Sequence, residues 1–575
     1  MKSIKYILIS FVLLMQSCGK DVLDFAPIDR ISDLSVWNDP VMVQSYVNNL
    51  YSRIPFNNTF DYTAWDNYCD EGTGPGNGIV SGTMTKTSET NGYWDYGYIR
   101  ALNVFLEQLP SSTINQSDKI RLEGEVRFIR AFVYFEMMKR YGGVPLVDVV
   151  LDPYKPIDDK YLVRATEEAI ANFINTELTT VITLLPDVAT PRGKINKWTA
   201  HALNARAMLW AASIAKFGTV ALNGVVGIPA SKANTFYAKA SVSADAVINS
   251  GKYSLYNPAP SDKSENYRRI FIDEENSEVI FEKPYDGVLV AHSFDAWCAP
   301  TTWVGRGSLG DPTLEYMLGF ENIDGSTTPP TFGAGQLYND GYGPFAKKDP
   351  RLRATVFFQG ETFSNGTIES YEGIDPSVTP DPSKIITSTA VSYNGKPSVG
   401  LDSRMSLDDS RTVTGFTRKK YIITTQKFIA EGASYTNLLV IRLAEMYLTK
   451  AEAEFQMGNI NPAVTALNMT RSRAGISLVD ATSITMDKIM TERRSELSGE
   501  AHRMWDLRRW RTALSVMNYQ SQGLRIIYHF ASGKYYFLPF NSETSVRVFK
   551  PEHYYNPITD SRINNNSKLV ENPFY

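Results

Sequence analysis

The sequence predicts a mainly α-helical fold, in which tetratricopeptide-like helix pairs form an α-α superhelix scaffold, with a long loop-rich insertion containing a few short strands. Three observations predict it. Apolar positions recur at three- and four-residue spacing in runs of good helix formers that stop at glycine or proline. Two successive runs, from Trp198 and from Phe236, start a little under forty residues apart, near the period of helix-turn-helix repeats, which bury their faces only by stacking. Between about 255 and 420 helical periodicity disappears into Gly, Pro, Ser, Thr and Asn with scattered aromatics.

The first seventeen residues are an address. Lys2 and Lys5 precede an apolar stretch, Tyr6 to Met15, that is too short for a bilayer core of roughly 30 Å. Ser17 then precedes Cys18 as in a bacterial lipobox, with Met15 and Gln16 where Leu and a small residue are commoner. Cys18 is therefore the expected lipidation site, with a secreted, unlipidated product as the alternative. Acyl chains contribute about 0.8 kcal/mol per buried methylene, so an acylated Cys18 holds a protein at a membrane without a spanning helix.

The helices follow in order. Asp118–Tyr141 carries Ile120, Val126, Ile129, Val133 and Met138 and stops at Gly142-Gly143-Val144-Pro145. Arg164–Leu185 stops before Pro186, Trp198–Phe217 at Gly218, and Phe236–Asn249 before Gly251. After the insertion come Leu439–Met457, Pro462–Arg473, Asp487–Gly499 and a shorter helix over His502–Thr512. Glu278–Glu282 and Tyr421–Thr425 read as strands. Trp94 and Tyr98 lead into Ile99, Leu102, Asn103 and Leu106 with helical spacing and belong to the core. The chain thus divides into leader 1–17, lipid tether 18–30, N-terminal helical part 31–254, insertion 255–420 and C-terminal helical part 421–575.

Composition excludes several function classes. A net charge of −4 with both signs intermixed offers no basic face for nucleic acid. Cys69 and Cys298 show no metal-ligand spacing with the five histidines, so neither a metal nor a cofactor is expected. For these two cysteines, free thiols and a disulfide are both compatible with the sequence. No nucleophile elbow, P-loop or Ser-His-Asp signature stands out. Glu492, Glu496 and Glu500 repeat at four-residue spacing among Arg493, Arg503 and Arg508, which invites comparison with a glycosidase carboxylate pair. Interleaved arginines keep carboxylates ionised, whereas a general acid needs a raised pKa. An ion network tying the helices is the better reading, with Arg442, Glu445, Arg127 and Glu125 in similar networks.

Four segments carry a resemblance: Glu125–Ala131 running to Tyr141-Gly142-Gly143-Val144-Pro145-Leu146; Asp349-Pro350-Arg351-Leu352; Ile441–Leu448 with Lys450–Ala453; and Glu492–Leu497 through Trp505-Asp506-Leu507-Arg508-Arg509-Trp510. In this order, and with the ending Asn572-Pro573-Phe574-Tyr575, the chain resembles the SusD/RagB family of outer-membrane nutrient-binding lipoproteins of Bacteroidetes. The resemblance implies a tetratricopeptide-like scaffold, surface exposure at the outer membrane and a binding site for oligosaccharides or other nutrients. It also implies a partner, a SusC-like TonB-dependent transporter barrel that such a protein covers as a lid.

Candidate ligand contacts lie in loops, where packing constrains residues least. Trp65, Asp66, Asn67 and Tyr68 combine aromatic faces with amide and carboxylate groups. Trp297, Trp303 and Arg306 lie in the insertion without a helical stripe to bury them. A sugar face stacked on indole while Asp66, Asn67 or Arg306 bonds hydroxyls is the expected form. The resemblance implies that the two segments converge. The function expected is glycan binding without catalysis and delivery to the transporter. Capture of peptides, a lipid-anchored glycoside hydrolase and an adhesive surface protein are the competing readings.

Overall fold

The computed structural model describes residues 33–575 except 57–59, 61–64, 74–77, 189–190, 305–309, 364–365, 408–410 and 427–428, and leaves aside the side chains of 33–35, 65, 303 and 304. The leader, Cys18, the tether and Arg306 lie outside the described residues.

Four scaffold helices precede the insertion: α1 (Gln116–Tyr141), α2 (Glu167–Leu184), α3 (Lys197–Phe217) and α4 (Ala233–Ile248). Each packs against the next. Their starts are chemically marked. Asn115 accepts from Asp118 N at the head of α1, Thr166 caps α2 through Ala169 N, and Asn196 forms a capping box with Thr199. Helix α2 begins later than periodicity suggests because Arg164 lies outside it, donating to the carbonyls of Tyr141, Gly143 and Val570 and to Asn572 Oδ1. That arginine docks the C-terminal tail on the scaffold.

Helix α1 ends where Gly142 takes φ +75°, a conformation that favours glycine. A Cβ on Gly143 would lie 1.9 Å from the Ala165 carbonyl oxygen, so only glycine lets the two chains cross there. Tyr98, Ile99, Leu102 and Asn103 are buried, and Trp94 packs half-buried against the same core. Ile120, on the expected apolar face, is exposed.

Beyond the insertion come α5 (Leu443–Gln456), α6 (Ile460–Ala474), α7 (Met486–Leu497) and α8 (Arg503–Arg509). Helix α5 packs directly on α4, so the stack continues as if the insertion were absent. The expected helix from Leu439 is corrected: Leu438–Arg442 is a strand, antiparallel to Val279–Lys283 with Leu439 opposite Glu282, and the helix starts at Leu443. Four consecutive apolar residues, Leu438 to Ile441, have no period to separate strand from helix. The expected strand Tyr421–Thr425 is absent. Thr417–Arg418 pairs with Val356–Phe357 instead, and Tyr421 at φ +68° breaks the extended path. The tail forms a hairpin, Gln522–His529 with Lys534–Asn541, to which Gly373–Asp375 adds a parallel third strand.

The main core lies among the helices. Two smaller aromatic cores lie under the insertion, one around Phe60, Phe271, Phe294 and Tyr421, the other around Phe320, Phe345, Phe358 and Phe537. Cys69 and Cys298 are buried free thiols, which closes the disulfide alternative. Burial pushes the Cys298 thiol up to about 12.

Candidate functional site

Residues Trp65–Tyr68 form one 3₁₀ turn. What holds it is charge. Asp66 Oδ2 lies 2.7 Å from Arg418 Nη1, and Arg418 Nε donates to the Gly310 carbonyl. Four residues on, Asp70 meets Arg503 at 2.8 Å and Arg494 at 3.1 Å, which holds its carboxyl well below the usual range despite burial. Gly72–Thr73 then pairs antiparallel with Asp311–Pro312. A Cβ on Gly310 would fall 2.5 Å from the Arg418 guanidinium and 3.1 Å from Asn67 Oδ1, so glycine permits this close approach. The N-terminal loop is thus clamped to the insertion on one side and to the C-terminal helices on the other.

Asn67 is buried, and Tyr68 is half-buried against the main core. Asp311 has one oxygen, Oδ2, accepting from Val413 N at 2.7 Å, and burial pushes its carboxyl up to about 8. A cavity of about 30 Å³ lies between Asp66, Phe294, Gly310, Arg418 and Tyr421, room for water rather than for a sugar.

Phe294, on that cavity wall, begins the short helix Phe294–Cys298, which presents Trp297. Trp297 is half-buried on the aromatic core, and its Nε1 donates to Glu431 Oε1 at 3.2 Å. His292 stacks on Phe60 at 4.1 Å, and burial pushes it down to about 4, so it is neutral and unsuited to acid chemistry at pH 7. Trp303 follows on Thr301–Val304, a segment fixed by Thr302, whose N and Oγ1 donate to Asp402 at 2.7 and 2.6 Å.

The segments holding the expected contacts therefore meet through Arg418, Gly310 and Phe294. Asp66 and Asn67 face this junction. The side chains of Trp65 and Trp303, and Arg306 altogether, lie outside the described residues. Sequence reasoning missed Arg418, Gly310, Asp311 and Asp402. The only signal was the basic triplet Arg418-Lys419-Lys420, whose members diverge: Arg418 reaches Asp66, Lys419 reaches Glu361 at 3.0 Å and Lys420 reaches Glu500 at 2.8 Å.

Glu492 and Glu496 of α7, and Glu500 just beyond its end, lie deep in the protein. Arg351 binds Asp349, Glu492 and Glu496 at 2.6–2.7 Å, and Arg442 binds Glu278, Glu496 and Glu500 at 2.6–2.8 Å. Arg473, Arg442 and Arg351 hold Glu496, and Arg442 and Lys420 hold Glu500, below the usual carboxylate range against the opposing effect of burial. That is the reverse of what a general acid requires. Glu445 pairs with Arg206 at 2.5 Å rather than with Arg442. Arg127 takes Glu123 and Glu177 while Glu125 takes Arg121, because residues two apart on a helix do not face each other. Among the described residues no group of His, Cys, Asp and Glu is arranged to hold a metal ion.

The SusD family model matches residues 259–575, more than half of the chain. The chain belongs to the SusD family. A second model, described as starch-binding associating with outer membrane, matches 29–209 of this SusD-family chain. A SusD-like protein of Formosa agariphila is 23% identical over 558 residues, covering 89% of this chain and 90% of the relative. The solved structure of a Bacteroides fragilis SusD-like protein superposes with TM-score 0.72 at 26% identity, covering 96% of this chain and all of that one. A laminarin-binding SusD-like protein has the same fold, with TM-score 0.59 at 19% identity over 94% of this chain and all of its own.

The tetratricopeptide-like scaffold of this SusD-family protein is held by the motif residues themselves. Arg351, Arg442 and Glu492 to Glu500 form the buried network above. Arg509 joins Glu452 and Asp506, and Trp510 Nε1 donates to Glu452 at 2.8 Å. No described helix is long and apolar enough to cross a membrane.

Proposed function

We propose that this SusD-family protein is a cell-surface lipoprotein that binds oligosaccharide or polysaccharide nutrients without catalysis and delivers them to a partner SusC-like TonB-dependent outer-membrane transporter. The observation that carries the binding reading is the clamp: the N-terminal loop is ion-paired and strand-paired to the insertion, with Trp297 on an aromatic core in the adjoining helix. A preformed platform loses little conformational entropy when a ligand stacks on it. In this reading Trp297 stacks on a sugar face, Trp65, Tyr68, Trp303 and Arg306 complete the contacts, and Asp66 and Asn67 act through the Arg418 clamp as positioning residues. Relatives whose names state glycan binding, the laminarin-binding protein among them, support the ligand class. The depressed carboxyls of Glu496 and Glu500 support a role without chemistry.

The anchor is Cys18. Replacing it with Ala should move the protein from the membrane fraction to the soluble fraction, and persistence in the membrane refutes the anchor. The binding role is tested by calorimetry of the mature protein against a polysaccharide panel, with chromatography of each mixture after incubation. Binding with the glycan intact is expected, and release of shorter products would refute the non-catalytic role. Copurification of a barrel protein from native membranes tests the transporter partnership.

A further inference from the structure

We propose that a second carbohydrate site, for an uncharged sugar unit, lies in an open cleft of about 530 Å³ on the insertion, beside helix Lys263–Arg269 and the hairpin of Thr362–Phe363 with Gly366–Thr367. This rests on the carbohydrate-binding reading and adds a place and a ligand class to it. The volume falls within the usual range of small-ligand sites.

One wall is Phe363, half-buried and tilted against Phe357 with ring centres 5.2 Å apart. Tyr342, also half-buried, lines the cleft too, with the Arg353 guanidinium 5.1 Å above its ring. On the same lining Glu361 accepts from Arg353 Nε at 3.2 Å and from Lys419 Nζ at 3.0 Å. Gly360, also on the lining, has nothing beyond its chain neighbours within 4 Å of where a Cβ would be, so the cleft is open at that point.

The charges around the cleft decide the ligand class. Three cations line it, Arg268, Arg353 and Lys419, together with four carboxylates, Asp262, Glu265, Asp340 and Glu361. Each carboxylate has a partner: Glu265 is bidentate to Arg268 at 2.7 and 2.8 Å, Asp262 accepts from Glu265 N at 2.9 Å, and Asp340 accepts from Tyr342 N at 3.0 Å. A uronate or sulfate would face four carboxylates, and a polycation would face three cations. A hydroxylated neutral ring needs neither sign. It brings donors to the spare lone pairs of Glu361 and an apolar face to Phe363 or Tyr342.

The cleft adjoins the first site. A Cβ on Gly366, in the hairpin wall, would lie 3.7 Å from Thr302 Cγ2, next to Trp303. A polysaccharide crossing the hairpin would engage both places, raising its apparent affinity through effective concentration.

The test is calorimetry of the detergent-solubilised mature protein with neutral probes (laminarihexaose, maltoheptaose, xylohexaose, mannohexaose) and acidic ones (tetragalacturonate, a chondroitin sulfate hexasaccharide). A neutral probe should bind, and Tyr342→Ala with Phe363→Ala should weaken it at least tenfold. Thr362→Trp, which fills the cleft from an exposed strand position, should do the same with circular dichroism and unfolding temperature unchanged. A neutral probe bound with wild-type affinity by both cleft variants, yet lost on Trp297→Ala, overturns the cleft and leaves the proposed function standing. Binding of acidic probes alone overturns the ligand class. Binding of no sugar overturns both.

Discussion

Arg442→Met should destabilise the protein by about 3–5 kcal/mol, the typical cost of breaking a buried ion pair from one side. The structure shows why. Arg442 is fully buried and donates to Glu500 through Nε and Nη2, to Glu278 and Glu496 through Nη1, and to the Glu496 carbonyl through Nη2. Among the described residues it belongs to a connected set of six cations, Arg351, Lys420, Arg442, Arg471, Arg473 and Lys488, and six carboxylates, Glu278, Glu321, Asp349, Glu492, Glu496 and Glu500. The set is electrically neutral, and methionine fills most of the vacated volume while leaving one negative charge in excess. Removing a carboxylate as well restores the balance, so Arg442→Met with Glu500→Leu should cost less than the two single changes summed, by roughly 1–3 kcal/mol of coupling.

Urea unfolding of the four proteins followed by circular dichroism gives these numbers. The pH dependence supplies a second check. Glu496 and Glu500 are depressed, so their contribution is complete above the unfolded carboxyl pKa of about 4.3 and is lost as pH falls through the folded values. The gap between wild type and Arg442→Met should therefore narrow below about pH 4. A single-variant cost under about 1 kcal/mol, or strict additivity in the cycle, would refute the network argument.

Three further outcomes are expected. Asp311 is raised to about 8 by burial, so its ionisation erodes stability as pH climbs from about 4 towards 8; Asp311→Asn should match wild type near pH 4 and exceed it by at least about 1 kcal/mol at pH 9, read from urea midpoints. Gly143→Ala places a methyl 1.9 Å from the Ala165 carbonyl oxygen and should lower stability by more than about 2 kcal/mol, while Gly251→Ala, with open space around its Cβ position, should cost less despite its positive φ. Trp297→Ala should weaken glycan binding at least tenfold, about 1.4 kcal/mol, with the unfolding midpoint moved by less than Arg442→Met moves it.

Helices were legible where period and punctuation agreed. Asn115, Thr166 and Asn196 sit at helix heads, and Gly142, Gly218 and Gly475 stand just past helix ends, so local chemistry placed those helices within a few residues. The run Leu438–Arg442 was illegible because its partner, Val279–Lys283, lies far away in sequence, and pairing rather than propensity made it a strand. The carboxylate row Glu492, Glu496 and Glu500 was readable as an ion network. Its partners Arg351 and Glu278 were not, since nothing local marks a charge that will be buried opposite another.

The loop at 65–68 and Trp297 could be singled out as aromatics without a helical stripe, but the clamp that brings their segments together could not. Arg418, Gly310 and Asp70 act through contacts between segments hundreds of residues apart. The sequence by itself determined the scaffold helices and the family motifs, because each depends on short-range spacing. Only the tertiary structure decided that α4 stacks on α5 across the insertion and that Asp66 meets Arg418. It alone assembled Tyr342, Glu361 and Phe363 around one cleft, because side-chain proximity at long separation is fixed by packing, which local pattern does not encode.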